Sequence, residues 1–492
     1  MLTSYYGLVS PFRGLGVNNH STMNKPTISL ALFLLLPFLV FAQGSGLASQ
    51  LDVLINQSLP KGSDIGVSVY DLTVGRQLYS YQATKLSRPA STMKLLTTIT
   101  ALARPDADEP FRTEVWYKGT IERDTLHGDL YVVGGFDPEF DDRGMNALVE
   151  GISGFPFSVV SGTVYGDVSM KDSLYFGSGW IWDDNPYAFQ PYLSPLMYCK
   201  GVVSVTVSPG TTNGSPARVT CSPASSFYTV ENLAKTRTPS AGKFNVTRGW
   251  MENRNNILVT GNVDGWKKDG VNLHTSQDFF MYTFMTRLQD KGIKVTDGYA
   301  YAGLNKDTNP VRMAQWDCSV EDVVKEIMKE SDNLNAEALL CRLGAQATGK
   351  KAVSAEDGIA EIEKLMRRLG HNPDNYKIAD GCGLSNYDYL SPALLVDFLK
   401  YAWSRPEVYR KLYKALPVAG IDGTLKNRMK QGSAYNNVRA KTGSYTGINA
   451  LAGYLKDSRG HQIVFAIMNQ NVLSAAKARE LQDKICEVIS GK

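Results

Sequence analysis

Hydrophobic and polar positions alternate through Gly66–Tyr81 (GVSVYDLTVGRQLYSY) on either side of Gly75, the pattern of a β-hairpin. Pro89-Ala90-Ser91-Thr92 then leads into MKLLTTITALA, where Met93, Leu96, Ile99 and Leu102 recur at helical spacing and predict one apolar helix face. From Phe111 to about Asn309 the texture changes. Short alternating runs, among them TEVWYKG, DLYVVGG, VVSVTVS and NILVTGNV, are divided by Gly, Pro and Asn and predict a mostly β region rich in hairpins. Helical spacing returns at Ser319–Lys329 and continues through Asn335–Ala345, Gly358–Leu369 and Pro392–Ala402. The chain closes on a three-strand meander (Asn437–Ser444, Ile448–Leu455, Gln462–Asn469) and an amphipathic helix, Ser474–Ile489. The first and last elements can pair into one sheet, which makes the middle an insertion rather than a tail.

Ahead of this pattern, Ile28–Phe41 is a continuous apolar run that follows Lys25 and ends in Val40-Phe41-Ala42. That is the layout of a secretory signal peptide cleaved after Ala42. The run is short for a membrane span and contains Pro37. Residues 1–22 precede an ordinary start at Met23, and no second long apolar run follows. The expectation is an exported chain, in the periplasm or cell-wall space, without an integral membrane segment in its mature part.

Composition narrows the classes. The chain has 492 residues, 43% hydrophobic and 20% charged, which is globular and leaves room for about three domains at roughly 150 residues each. Lys and Arg number 52 against 48 acids; removing Arg13 and Lys25 with the signal halves that small excess. No nucleic-acid footprint is left. The six cysteines (199, 221, 318, 341, 382, 486) are too scattered for a zinc pattern. Cys199 and Cys221 flank a predicted hairpin, so a disulfide and a pair of buried thiols both stay open. His127, His274, His371 and His461 are the histidines after residue 42, with no HExxH among them. A histidine-based metal site or a Ser-His-Asp triad has little material, and no metal or organic cofactor is expected.

Candidate chemistry begins at Ser91-Thr92-Met93-Lys94, an SxxK that sets a hydroxyl beside an amine on one helix face. Three other SxxK matches, at Ser58, Ser240 and Ser474, lack its strand–loop–helix setting. Ser331-Asp332-Asn333 is the only SxN in the chain and falls in a break between predicted helices. Lys441-Thr442-Gly443 is the only KTG, on a predicted strand where Gly443 would let a substrate backbone lie close. SxxK, SDN and KTG in this order are the signature set of serine penicillin-recognising enzymes.

With these motifs the chain resembles the low-molecular-mass class C penicillin-binding proteins, the D-alanyl-D-alanine carboxypeptidase/endopeptidase family. More than two hundred residues separate Lys94 from Ser331, as expected of a family with a large insertion there. Gly134–Pro138 (GGFDP), Gly179–Asp184 (GWIWDD), Asp380–Ser385 (DGCGLS) and Gly423–Arg428 (GTLKNR) are similar to further family segments. Cys382 stands where the family usually has Ser, and Asn386 where an Arg associated with the third stem residue is common.

The resemblance implies an α+β fold: a β-lactamase/transpeptidase-like catalytic domain, an antiparallel sheet flanked by helices, over residues 43–104 and 314–492. Residues 105–313 would form the mostly β inserted region, divisible into two subdomains. It further implies Ser91 as nucleophile, Lys94 as base, Ser331 as proton relay and Asn333 as a holder of a substrate amide. Lys441 and Thr442 would bind a terminal carboxylate beside Gly443 and Ser444, and the backbone N–H groups of Ser91 and Ser444 would form the oxyanion hole. Asp167 is similar to an insertion residue that contacts the substrate side chain. The implied partners are peptidoglycan stem peptides, with β-lactams as acylating inhibitors. A serine β-lactamase shares this constellation, and a catalytically silent peptidoglycan-binding homologue shares the cleft. Against them stand the absent ExxLN motif, the long insertion and the intact set of serines and lysines.

Overall fold

The N-terminal hairpin and the C-terminal meander join edge to edge. In the computed structural model, which describes residues 45–491, Asp64–Asp71 pairs antiparallel with Gln462–Val472, from Asp64 opposite Gln470 to Asp71 opposite Ile463. The predicted export signal lies outside the described residues. The five-stranded sheet runs Arg439–Tyr445, Gly447–Lys456, Gln462–Val472, Asp64–Asp71, Arg76–Tyr81, antiparallel throughout. This places the KTG strand at one edge.

Both faces of this sheet are covered, which explains why its central strand reads as a continuous apolar run. Ile463, Phe465 and Ile467 pack with Leu51 and Ile55 of the helix Ser45–Ser58 and with Leu481 and Ile485 of the helix Ala475–Ser490. Val464, Ala466 and Met468 point the other way, into a second cluster built on the helix Met93–Leu102. Each such buried side chain contributes roughly 2 kcal/mol relative to exposure. The helix Met93–Leu102 is buried at all ten positions, not on one face as its spacing predicts. Two of its threonines are satisfied inside, Thr97 donating to the Gly381 carbonyl and Thr100 to that of Leu96, whereas the buried Thr98 hydroxyl has no partner among the described residues.

Further helices are Val320–Lys329, Asn333–Thr348, Ala355–Arg368, Pro392–Trp403 and Pro406–Ala415. Ser319 and Ser391 cap their helices with hydroxyl acceptors, at Asp322 N and Leu394 N. No helix among the described residues is long and apolar enough to cross a membrane.

Between these parts lies a mixed seven-stranded sheet and a group of smaller two- and three-stranded sheets. Their apolar residues form a cluster of their own. The region is not purely β, since it contains the helices Asp142–Ser153 and Ser276–Asp290. The second of these buries Phe279, Phe280 and Phe284, aromatics that on sequence alone resemble strand residues. The closing strand, Val311–Cys318, pairs with Phe111–Glu122 and so carries the region's sheet past the boundary expected at 313. Val202–Ser208 pairs with Arg218–Ser222 as a hairpin, with Cys221 opposite Val205, and Cys199 and Cys221 are both free thiols.

Candidate active site

Ser91 sits in a 3-10 turn, Ala90–Thr92, that runs directly into the buried helix. Ala90 has a φ of 44°, a left-handed conformation unusual for a residue with a Cβ. The turn is held from two sides by glycines. A Cβ on Gly383, whose φ is 80°, would stand 1.9 Å from the Ala90 carbonyl oxygen, and one on Gly443 would stand 2.6 Å from the Pro89 carbonyl oxygen. Gly443 is therefore required by the nucleophile turn itself, because the KTG strand lies against Pro89–Ser91. That reason differs from the substrate approach expected from sequence.

Lys94 is fully buried and its Nζ reaches three oxygens: Ser91 Oγ at 3.0 Å, Asn333 Oδ1 at 2.6 Å and the Cys382 carbonyl at 2.7 Å. Three acceptors match the three donors of an ammonium. Of these partners only the Ser91 hydroxyl carries a hydrogen. When Lys94 loses a proton, its lone pair therefore faces Ser91. Burial lowers its pKa, against the pull of Cys382, Asp380, Asp332 and Glu337.

The second lysine mirrors the first. Lys441, also fully buried, donates to Ser331 Oγ at 2.8 Å and to the Thr442 carbonyl at 2.9 Å. Burial, and then the charge of Lys94, hold it well below the usual lysine range. Ser331, at a φ of 64°, occupies the break between Val320–Lys329 and Asn333–Thr348. Asp332 caps the second of these helices, accepting from Asn335 N at 2.9 Å. The SDN motif thus turns one hydroxyl to Lys441 and one amide to Lys94.

Segments outside the three motifs complete the site. Asp380 of DGCGLS accepts from the backbone N–H groups of Cys382, Gly383 and Ser385 and from Trp180 Nε1, which fixes the Cys382 carbonyl on Lys94. Glu337 accepts from Gly381 N at 2.8 Å; burial and then Asp380 push its carboxyl up to about 8. Thr442 Oγ1 donates to Thr424 Oγ1 at 2.8 Å, and Tyr445 donates to Asp184 of GWIWDD at 2.8 Å. From the inserted region, the Phe189 carbonyl accepts from Asn333 Nδ2 at 2.7 Å. Lys200 bridges Asp332 and Glu139, each at 2.7 Å.

Ser91, Lys94, Ser331, Asn333 and Lys441 are brought together, with Thr442, Gly443 and Ser444 on the adjoining strand. Asp167 is engaged differently. It is buried, and its carboxylate oxygens accept from the backbone N–H groups of Ser169 at 2.9 Å and Leu304 at 2.7 Å, the work of a turn cap. Sequence reasoning missed Lys200, Glu139 and Phe189, which belong to no motif. Asp380 and Thr424 lay inside flagged segments and were within its reach.

The site invites comparison with known proteins. Residues 47–491 match the D-Ala-D-Ala carboxypeptidase 3 (S13) family. The chain belongs to this family. Among curated relatives, the D-alanyl-D-alanine carboxypeptidase of Actinomadura sp. (strain R39) is 30% identical over 94% of this chain and 88% of its own length. The D-alanyl-D-alanine carboxypeptidase DacB of Haemophilus influenzae is 23% identical over 84% of this chain and 86% of its own. The crystal structure of penicillin binding protein 4 from H. influenzae superposes with a TM-score of 0.77 at 22% identity, covering 88% of this chain and 98% of that one. A second structure of that protein, complexed with a β-lactam, gives 0.73 at 19% identity, covering 90% of this chain and 100% of that one. The fold is thus that of a penicillin-binding protein, and the S13 chain is a serine-type DD-peptidase.

Proposed function

We propose that this S13 peptidase cleaves peptidoglycan stem peptides after a D-Ala carbonyl through an acyl-enzyme on Ser91. The observation that carries the reading is Lys94 Nζ, held 3.0 Å from Ser91 Oγ by two partners that can only accept. Neutral Lys94 takes the Ser91 proton as Oγ bonds the carbonyl carbon. The N–H groups of Ser91 and Ser444 face the developing oxyanion, where one donor is typically worth about 3 kcal/mol. Collapse breaks the C–N bond, and the leaving amine takes its proton through Ser331, which Lys441 holds. Water, activated by the same base, then hydrolyses the ester.

Thr442 and Lys441 receive the terminal carboxylate. Asn333 Nδ2, occupied by the Phe189 carbonyl, is the donor a substrate amide would take over. Asp167 is read as a structural acceptor. Residues 43–104 and 314–492 are read as the catalytic domain and 105–313 as its insertion, on an exported chain. β-Lactams, one of which is bound in a structure of the H. influenzae relative, should acylate Ser91. The reaction as written needs no metal or organic cofactor. The test is Ser91→Ala: it should abolish D-Ala release from a pentapeptide stem and labelling by a fluorescent penicillin. Release at the wild-type rate would remove Ser91 as the nucleophile.

A further inference from the structure

Side chains alternate along the KTG strand. Lys441 is turned to Ser331 and Gly443 lies against the Ser91 turn, while the Thr442 hydroxyl donates to Thr424 and, with Ser444, lines a further part of the cleft. This part is a groove of about 920 Å³. One wall is the segment after Thr424, including Asn427 and Lys430; the other is the helix Ala475–Ser490 from Ala476 to Glu487. A volume near the top of the roughly 300–1,000 Å³ range for ligand pockets is far more than one alanine fills.

Two features show what the groove is built to hold. Asn449, opposite Ser444 on the neighbouring strand, lines it and is only 2% exposed, yet its Nδ2 has no hydrogen-bond partner. A buried amide donor left unpaired costs free energy, and a peptide carbonyl would satisfy it. The charges are also unequally used. Asp483 is paired with Arg428, Glu480 with Lys484, and Glu487 accepts from Ser433, whereas Lys430 and Arg479 have no ion-pair partner among the described residues. The lining carries four cations (Arg428, Lys430, Arg479, Lys484) against three acids (Glu480, Asp483, Glu487), a small excess that suits an acidic peptide.

We infer that this groove is the subsite for the leaving peptide, the second stem that carries the amine when a cross-link is cut. The inference rests on the proposed reading of Ser91 and Thr442. A carboxylate at Thr442 marks the end of a simple D-Ala-D-Ala substrate. In a cross-link, that carboxylate belongs to a branched residue whose own chain continues, and the groove lies where it would run. Asn449 Nδ2 meets a carbonyl of this chain, and Lys430 and Arg479 meet its carboxylates. The bond changes are those given above: the acyl carbon passes from the amide nitrogen to Ser91 Oγ, and the released amine stays on the second peptide.

The test fills the groove from opposite walls with Ala476→Trp and Asn427→Trp, both at exposed positions. Purified full-length protein is given a soluble cross-linked muropeptide dimer and, separately, a pentapeptide monomer. Labelling by a fluorescent penicillin normalises each rate to folded, acylation-competent protein. The expected result is at least a tenfold fall in the ratio of dimer cleavage to D-Ala release in both variants. An unchanged ratio overturns the inference. So does a wild-type enzyme that releases D-Ala but leaves dimers intact, which spares the proposed reaction. A wild-type enzyme that cleaves neither substrate overturns both.

Discussion

Replacing Lys200 by methionine should slow acylation of Ser91 far more than the distance between the two residues suggests. Lys200 donates to Asp332 and Glu139 at 2.7 Å each, and Glu139 also accepts from Asn335 Nδ2 at 2.7 Å. It thereby pins Asp332, whose neighbours Ser331 and Asn333 contact Lys441 and Lys94 at 2.8 and 2.6 Å. Removing one partner of a fully buried ion pair costs roughly 3–5 kcal/mol. Here the three side chains keep 20–27% of their exposure, so water screens part of the loss. Burial already pushes the Glu139 carboxyl up to about 7, and without Lys200 it takes a proton readily. The stability cost should therefore be about 2 kcal/mol. The rate is more sensitive, because a displacement of about 1 Å at a catalytic group costs on the order of a hundredfold. Acylation by a fluorescent penicillin, followed by stopped flow beside a thermal melt, separates the two effects. We expect Lys200→Met to acylate about ten- to a hundredfold more slowly and Lys200→Arg to recover most of that loss. If Lys200→Met melts earlier yet acylates within about twofold of wild type, the bridge supports the fold and not the SDN loop, and the reasoning is refuted.

Gly443→Ala should separate the KTG strand from the nucleophile turn, since the new Cβ would meet the Pro89 carbonyl at 2.6 Å and Ser91 N at 3.2 Å. The acylation rate should fall by about a hundredfold, with a melting temperature several degrees lower; an unaffected rate would show that the strand relaxes freely. Glu337→Gln should change the pH dependence of stability. The native carboxyl is raised from 4.5 to about 8, so its contribution is complete below the ordinary carboxylate range and is lost as pH rises through 8. Glutamine does not titrate, so the variant should gain on wild type in melting temperature between pH 5 and pH 9; parallel curves would mean that Glu337 is not buried neutral.

The three motifs were legible because acyl transfer demands particular side chains at fixed local spacing. The helix Met93–Leu102 was legible in position but not in environment: period and propensity reveal that a segment coils, not how many neighbours surround it. The helices Asp142–Ser153 and Ser276–Asp290 were hidden by the turn-rich texture around them, and the phenylalanines of the second weigh toward strand. Lys200 was invisible for another reason. Its role depends on a left-handed φ of 61° and on partners 61 and 132 positions away, and neither leaves a periodic trace. Asp167 shows a different limit, since a carboxylate capping a turn and one awaiting a ligand look alike until their hydrogen bonds are seen.

Two fully buried lysines in one cleft raise the question of which carries charge. Lys94 has Asp380 and Asp332 around it to favour the ammonium, whereas Lys441 has a hydroxyl, a carbonyl and the opposing charge of Lys94. Under the proposed roles, a carboxylate bound by Thr442 and Lys441 would bring a negative charge to Lys441 and so raise its pKa. Binding of the terminal carboxylate then stabilises the charged form of Lys441 and, through like-charge repulsion, favours the neutral amine that Lys94 needs. Under the proposed roles, the requirement for a free carboxylate follows from the charge balance of the base. It needs no separate specificity pocket.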